Sequence, residues 1–243
     1  MHNVYKRDLA YIHDDGFTDF IKDAAPGLLQ ILRHSGKTKG LVVDLGCGSG
    51  IWARQLTLAK YKVLGVDISD AMIRLARKRA PKATFVTGSF LTMKLPPCVA
   101  VTALGEVVNY LFDPRNTQTE IGNFFRRVYE TLRPGGVFVF DVAGPGRGGP
   151  EGVRRSFSTG RDWAILFRAE EDRKRGLLIR HMVTFRKVGK HYQRGEETHR
   201  LRLYSRPEVE KLLLGAGFQV RAVRGYGQTP FGPGVVGFVT RKR

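Results

Sequence analysis

The stretch Val43-Asp44-Leu45-Gly46-Cys47-Gly48-Ser49-Gly50 follows an apolar run and places three glycines within five positions. Glycine loses more backbone freedom on folding than any other residue. Such density marks a turn that other residues resist, or a place where a ligand approaches the backbone. Leu41–Leu45 reads as a short buried strand and residues 51–59 as a helix, so the glycines join strand to helix. In an open α/β sheet, ligands bind in the crevice at the carboxyl ends of the strands. A dinucleotide fingerprint needs Gly-x-Gly-x-x-Gly. Here that last position is Ile51, and the third glycine, Gly50, comes one place early. Asp44 stands two places before the first glycine, where a phosphate gains little from an acid and an ammonium group would suit it. A second acid, Asp67 in Gly65-Val66-Asp67-Ile68, ends the next strand, where a carboxylate can accept hydrogen bonds from ribose hydroxyls. The pattern points to a nucleoside with a cationic, non-phosphate tail.

Outward from this point the chain alternates strand and helix patterns. Residues 19–32 have helical spacing interrupted by Pro26, which predicts a kink or two short helices. Strands are predicted at 62–66, 84–87, 99–104 and 137–142. Helices are predicted at 70–79, with Ser69 or Asp70 as cap, and at 117–132, stopped by Arg133-Pro134-Gly135-Gly136. This alternation implies a parallel sheet covered on both faces. The glycine-rich stretch 143–152 breaks the rhythm. Three long β-type segments follow at 163–170, 177–188 and 192–204, then a helix at 207–214 and two strands at 218–225 and 235–241.

The 243 residues carry a formal charge of +19. Residues 147–243 hold 22 Lys/Arg against 9 Asp/Glu, and residues 1–146 hold 19 against 13, so the excess lies late in the chain. Such a field suits acidic small molecules, nucleic acid or anionic membrane, and equally describes a solvated basic face. Cys47 and Cys98 have no metal-ligand spacing, which favours a reducing compartment and no metal site. The N-terminal MHNVYKRDLAYIHDD has no apolar core of a signal peptide. No apolar run approaches the roughly 18 residues of a membrane span. A cytoplasmic protein without a membrane partner, monomeric or homodimeric, is expected.

Four motifs carry a resemblance: VVDLGCGSG at 42–50, GVDIS at 65–69, FVTGSF at 85–90 and LRPGG at 132–136. Together they resemble the class I S-adenosylmethionine-dependent methyltransferases, over about residues 41–142. The resemblance implies an α/β fold: a Rossmann-like, doubly wound, mostly parallel seven-stranded sheet with helices on both faces, here with an antiparallel β insertion after the fifth strand. It divides a single domain (1–243) into an N-terminal helical lid (1–40), a cofactor-binding core (41–142), the insertion (153–205) and a C-terminal part completing the sheet (206–243). It implies S-adenosyl-L-methionine as cofactor. Gly46, Gly48 and Gly50 would pass beneath its methionine and ribose parts, with Cys47 a small packing residue among them. Asp44 would orient the loop or meet the ammonium. Asp67 would hold the ribose, with Ile68 against the adenine. Ser89 and Phe90 fall where the family usually carries an acid and an apolar residue near adenine; serine there is a departure that weakens that contact. Leu104 and Gly105 would face the methionine side. Tyr11 and His13 are the candidate lid contacts. Trp52 fits either a cofactor stack or the core, and Asp141 a loop cap.

Methyl transfer is an in-line displacement that needs alignment and exclusion of water more than any fixed catalytic residue. The segment Leu104-Gly105-Glu106-Val107-Val108-Asn109-Tyr110-Leu111 lacks the Asn/Asp-Pro-Pro-aromatic signature of relatives that methylate nucleobase amines. It resembles the branch acting on small molecules. Glu106 is the candidate to hold or deprotonate an amine, or else the partner of a nearby arginine. Asn109 and Tyr110 are candidates to position the acceptor. The insertion is expected to bring His181, His199, Arg200, Arg202 and Tyr204 to the strand ends, where arginines suit an anionic acceptor. The expectation is methyl transfer to nitrogen or oxygen of a small molecule. RNA methylation through the basic C-terminal region, or cofactor binding without catalysis, are the alternatives.

Overall fold

The computed structural model describes residues 4–243. Two helices, α1 (Arg7–Gly16) and α2 (Asp19–His34), precede the core. The core then runs β1 (Leu41–Leu45), α3 (Ile51–Leu58), β2 (Lys62–Asp67), α4 (Asp70–Arg79), β3 (Thr84–Thr87), β4 (Cys98–Ala103), α5 (Gln118–Thr131) and β5 (Leu132–Ala143). Four strands follow: β6 (Val153–Thr159), β7 (Trp163–Asp172), β8 (Leu177–Val188) and β9 (His191–Arg202). The chain ends with α6 (Arg206–Gly215), β10 (Gln219–Val223), the short pair β11 (Gly225–Tyr226) and β12 (Thr229–Pro230), and β13 (Val235–Arg241).

The main sheet has seven strands in the order β10-β13-β5-β4-β1-β2-β3. All pairings are parallel except β5–β13 and β10–β13. The strand order reverses between β1 and β4, which is where open sheets of this kind bind ligands. β5 shows why such a strand carries no polar face. Val137 and Val139 enter the core under α2 and α3, while Phe138, Phe140 and Val142 enter the core under α5 and α6. Each fully buried side chain of that size stabilises the fold by about 2 kcal/mol.

Two expectations are corrected. α2 is one helix through Pro26 rather than two short ones, although proline leaves the carbonyl four residues earlier without its donor. Burial of Ala24, Ala25, Leu28 and Leu32 along one face offsets that loss. The insertion has four strands rather than three, ordered β6-β7-β8-β9. β6, VRRSFST, lacks alternating apolar residues because it is an edge strand whose side chains are mostly exposed. Two apolar clusters tie the insertion to the rest. Leu9 and Ile12 of α1 pack on Trp163, Ile165 and Met182, and Ala143 at the end of β5 packs among Leu178, Leu201 and Leu203. No helix among the described residues is long and apolar enough to cross a membrane.

Candidate functional site

Two cavities meet above the carboxyl ends of β1, β2, β4 and β5. The smaller, of about 240 Å³, is walled by the loops leaving β1, β2, β3 and β4. The larger, of about 370 Å³, lies between the end of β5 and the inner face of the insertion. Tyr5, His13, Phe17, Phe20, Gly105 and Tyr110 line both.

The three glycines of the first loop all take left-handed φ, at 62°, 52° and 78°. Their reasons differ. A Cβ on Gly46 would strike Val107, and one on Gly50 would stand 2.9 Å from the Ala76 backbone in α4. At Gly48 nothing lies within 4 Å, because this residue opens on the cavity. Gly50 is therefore a packing residue and does not line either cavity, contrary to its expected place under the cofactor. Cys47 lines the smaller cavity and is buried, its thiol pushed far up by desolvation.

Asp44 is buried, with Oδ1 accepting from the Thr102 hydroxyl at 2.8 Å. That hydroxyl in turn accepts from the indole of Trp52 at 3.2 Å, so Trp52 serves the core and the cavity wall together. Asp44 Oδ2 has no partner among the described residues. Burial pushes this carboxyl up to about 7, against the Thr102 hydrogen bond and with the help of the nearby Asp67 charge. Asp67 accepts from the Gly48 N–H at 2.9 Å and the Ser69 N–H at 2.8 Å. Burial carries it up to about 6 in spite of those donors. Ser69 caps α4 as expected, accepting from the Met72 N–H. Ile68, Ser89, Phe90, Leu104 and Gly105 all line the smaller cavity. Asp113 does too, unforeseen from the sequence. Burial raises its carboxyl, but hydrogen bonds from Arg115 and Ser89 outweigh that and bring it down to about 2.

The larger cavity is built differently. Asp141 caps the turn after β4, accepting from the Gly105 N–H, the Glu106 N–H at 2.6 Å and the Tyr226 hydroxyl at 3.1 Å. Those contacts hold Glu106 at φ 64°, a conformation costly for a non-glycine residue. Its buried carboxylate is gripped by Arg147 on one oxygen and Arg180 on the other. Burial would raise Glu106, but the Arg180 and Arg147 charges outweigh it and hold it below the usual carboxylate range. Glu106 is thus an arginine partner rather than a group free to bind an amine. Tyr110 accepts from Arg180 at 2.9 Å, lies 3.3 Å from the Tyr5 hydroxyl and stacks on Phe112.

Other candidates stand elsewhere than expected. Asn109 is fully buried, donating to the Ala143 and Arg202 carbonyls and accepting from the Ala143 N–H, so it reaches neither cavity. Tyr11 points from α1 toward Asp162, at 3.1 Å, under the guanidinium of Arg186. Its neighbours on the inner side of α1, Leu9 and His13, face the cavity instead. Of the insertion residues, His199 lines the larger cavity, while His181 binds Thr198 on the far side of the sheet. Arg200, Arg202 and Tyr204 also lie outside it. The arginines that do line it are Arg147, Arg154 and Arg180. Arg180 had a signal in the sequence: it sits between Leu178 and Met182, in the apolar phase of β8. No cluster among the described residues could hold a metal ion.

The family model described as "Methyltransferase domain" matches residues 42–136. The Bacillus subtilis (strain 168) protein YqeM, named only as a methyltransferase, is 24% identical over 229 residues, covering 91% of this chain and 86% of its own. The dTDP-3-amino-3,4,6-trideoxy-alpha-D-glucopyranose N,N-dimethyltransferase of Streptomyces venezuelae is 25% identical over 236 residues, covering 91% and 94%. The solved structure of an S-adenosylmethionine-dependent methyltransferase from Clostridium acetobutylicum ATCC 824 superposes with a TM-score of 0.81 at 18% identity, over 96% and 97% of the two chains.

Proposed function

We propose that this chain, which is a class I S-adenosylmethionine-dependent methyltransferase, methylates a nitrogen of a small anionic amine. The observation that carries this reading is the junction of two unlike cavities, one edged by carboxylates at strand ends and one edged by arginines.

The smaller cavity fits S-adenosylmethionine. Asp44 Oδ2 is a buried acceptor without a partner, which an ammonium group would satisfy. The open space over Gly48 admits a ligand against the backbone. Asp67 keeps lone pairs beyond those used by Gly48 and Ser69, enough for two ribose hydroxyls. Ile68, Ser89 and Phe90 would border the adenine, and Leu104 and Gly105 the methionine side. When bound, the cofactor supplies a methyl group on a cationic sulfur, open to in-line displacement.

The residues of this chain position the other reactant. Tyr5, His13 and Tyr110 stand at the junction and would exclude water from it. Arg147 and Arg180 share a single Glu106, which leaves a net positive charge on the wall, and Arg154 adds to it. A carboxylate or phosphate on the acceptor would satisfy that excess bidentately. The cavity volume suits a metabolite. One relative is named for N,N-dimethylation of a dTDP-linked amino sugar, which supports an acceptor holding both an amine and acidic groups.

Methyl-labelled cofactor offered in parallel to a mixture of aminohexose phosphates and amino acids, and to total RNA, tests this reading. Label is expected in an anionic amine. Label in RNA alone, or on hydroxyl oxygens of the sugars alone, overturns it.

A further inference from the structure

The geometry points to His199 as the group that takes the proton from the acceptor's ammonium, with Glu197 as its positioning residue; this rests on the amine reading above.

An amine at neutral pH is protonated and has no lone pair to offer. A base in the larger cavity is therefore needed, and its carboxylates are occupied. Glu106 is held by two arginines, and Asp141 by two backbone N–H groups and a tyrosine. His199 differs. It sits on the inner face of β9, 1% exposed, and lines this cavity. Its Nε2 lies 2.9 Å from Glu197 Oε2. The same carboxylate accepts the Tyr5 N–H at 2.7 Å and the Lys6 N–H at 2.8 Å. A carboxylate of this kind accepts a hydrogen bond from Nε2–H, so the neutral ring carries its hydrogen there and its lone pair on Nδ1. Nδ1 is buried and has no partner among the described residues. A buried acceptor left in this state is costly, and a ligand N–H would remove that cost.

The groups around the ring fit the role. Tyr5 from the N-terminal strap and Phe112 from the segment after β4 each lie 4.8 Å from it, and Tyr110 lies 5.9 Å away. Arg180, opposite His199 on β8, spends its guanidinium on Glu106 and Tyr110. His13 of α1, on the other side of Tyr5, also keeps a buried Nδ1 without a partner, but among the described residues no carboxylate bonds its other ring nitrogen. Burial carries it down to about 4, with the Asp14 charge too weak to prevent this, so it stays neutral and takes up a proton poorly.

In the proposed step, R–NH3⁺ and neutral imidazole become R–NH2 and imidazolium. The proton moves to Nδ1, and the N–H electron pair stays on nitrogen as the pair that forms the new N–C bond. Glu197 faces the charge the ring acquires, and the ring later returns its proton to water. Because Glu197 also accepts from the Tyr5 and Lys6 N–H groups, one carboxylate fixes both this N-terminal segment and the base.

The full-length protein saturated with S-adenosylhomocysteine, labelled with ¹⁵N-histidine, tests the tautomer. Nitrogen NMR at pH 8 is expected to show Nε2 of His199 protonated and Nδ1 bare; a neutral ring protonated on Nδ1 overturns the proposal. The second test is label transfer to the aminohexose phosphate mixture across pH 6 to 9. His199→Gln is expected to lose about 100-fold in kcat near pH 7, the lower range for a general base, and to keep only the ascending limb that the acceptor amine's own deprotonation gives. Its calorimetric affinity for S-adenosylhomocysteine should stay that of the parent. Glu197→Gln should displace the limb. A His199→Gln enzyme with the parent's rate and pH profile overturns the proposal. If the parent labels nothing in the mixture, the amine reading fails by itself, and the tautomer remains the deciding measurement for His199.

Discussion

The two cavities are made from different materials. The smaller is backbone and strand ends: glycine turns, capped helices and two aspartates placed by β1 and β2, all between residues 44 and 113 apart from the strap and its following helix residues. The larger is side chains carried in from afar: Arg147 after β5, Arg154 on β6, Arg180 on β8 and His199 on β9, met by Glu106. Their electrostatics also differ. Burial leaves Asp44 and Asp67 with raised carboxyls, near 7 and 6, while the arginines hold Glu106 down. A site with no charge of its own to spare can wait for a cation. A site with an excess of guanidinium waits for an anion.

That contrast can be broken by substitution. The largest effect belongs to Glu106→Gln, which strands two half-buried arginines. Removing one side of a buried ion pair costs about 3–5 kcal/mol, and chemical denaturation should show a loss of that order. A loss no larger than that of a surface substitution would mean the arginines relax into water.

His13 comes next, and its effect depends on pH. Its folded value lies near 4, below the 6.5 of the free side chain. A depressed value means the contribution is present above the unfolded value and is lost as pH falls through the folded one. Relative to the parent, His13→Gln should therefore gain stability between pH 6.5 and 4, by up to about 3 kcal/mol. A pH-independent difference in unfolding free energy would contradict the burial argument.

Asp67→Ala sharpens the cofactor side. Losing hydrogen bonds to a charged group costs about 2 kcal/mol, so calorimetry should find S-adenosylmethionine bound roughly 30-fold more weakly. Unchanged affinity would remove the ribose assignment. The smallest effect is that of Asp44. A carboxyl titrating near 7 must ionise to meet an ammonium, so cofactor affinity should fall as pH drops below 7, by up to about tenfold per unit. Asp44→Asn should flatten that slope; a slope kept in the variant would place the proton elsewhere.

The unequal legibility of the two cavities follows from their construction. Gly46, Gly48 and Asp67 could be read from spacing, because each acts within a turn or at the end of its own strand. Asn109 and Tyr110 are neighbours in the same segment, and nothing local says that one is consumed by the Ala143 and Arg202 backbone while the other reaches the junction. Tyr11 and His13 share a helix, and only the packing of α1 on β7 and β8 decides which of them faces inward. Gly50 looked like part of the cradle, but its freedom is used against α4.

The sequence by itself determined the strand–turn–helix unit at residues 41–58, the acid ending β2 and the family these motifs resemble. Those features depend on local dihedrals and on periodicity within single elements. Only the tertiary structure decided which arginines and which histidine line the larger cavity. In the insertion, a one-residue change of phase turns every side chain to the other face of the sheet, and that phase is set by contacts with α1 and the end of β5.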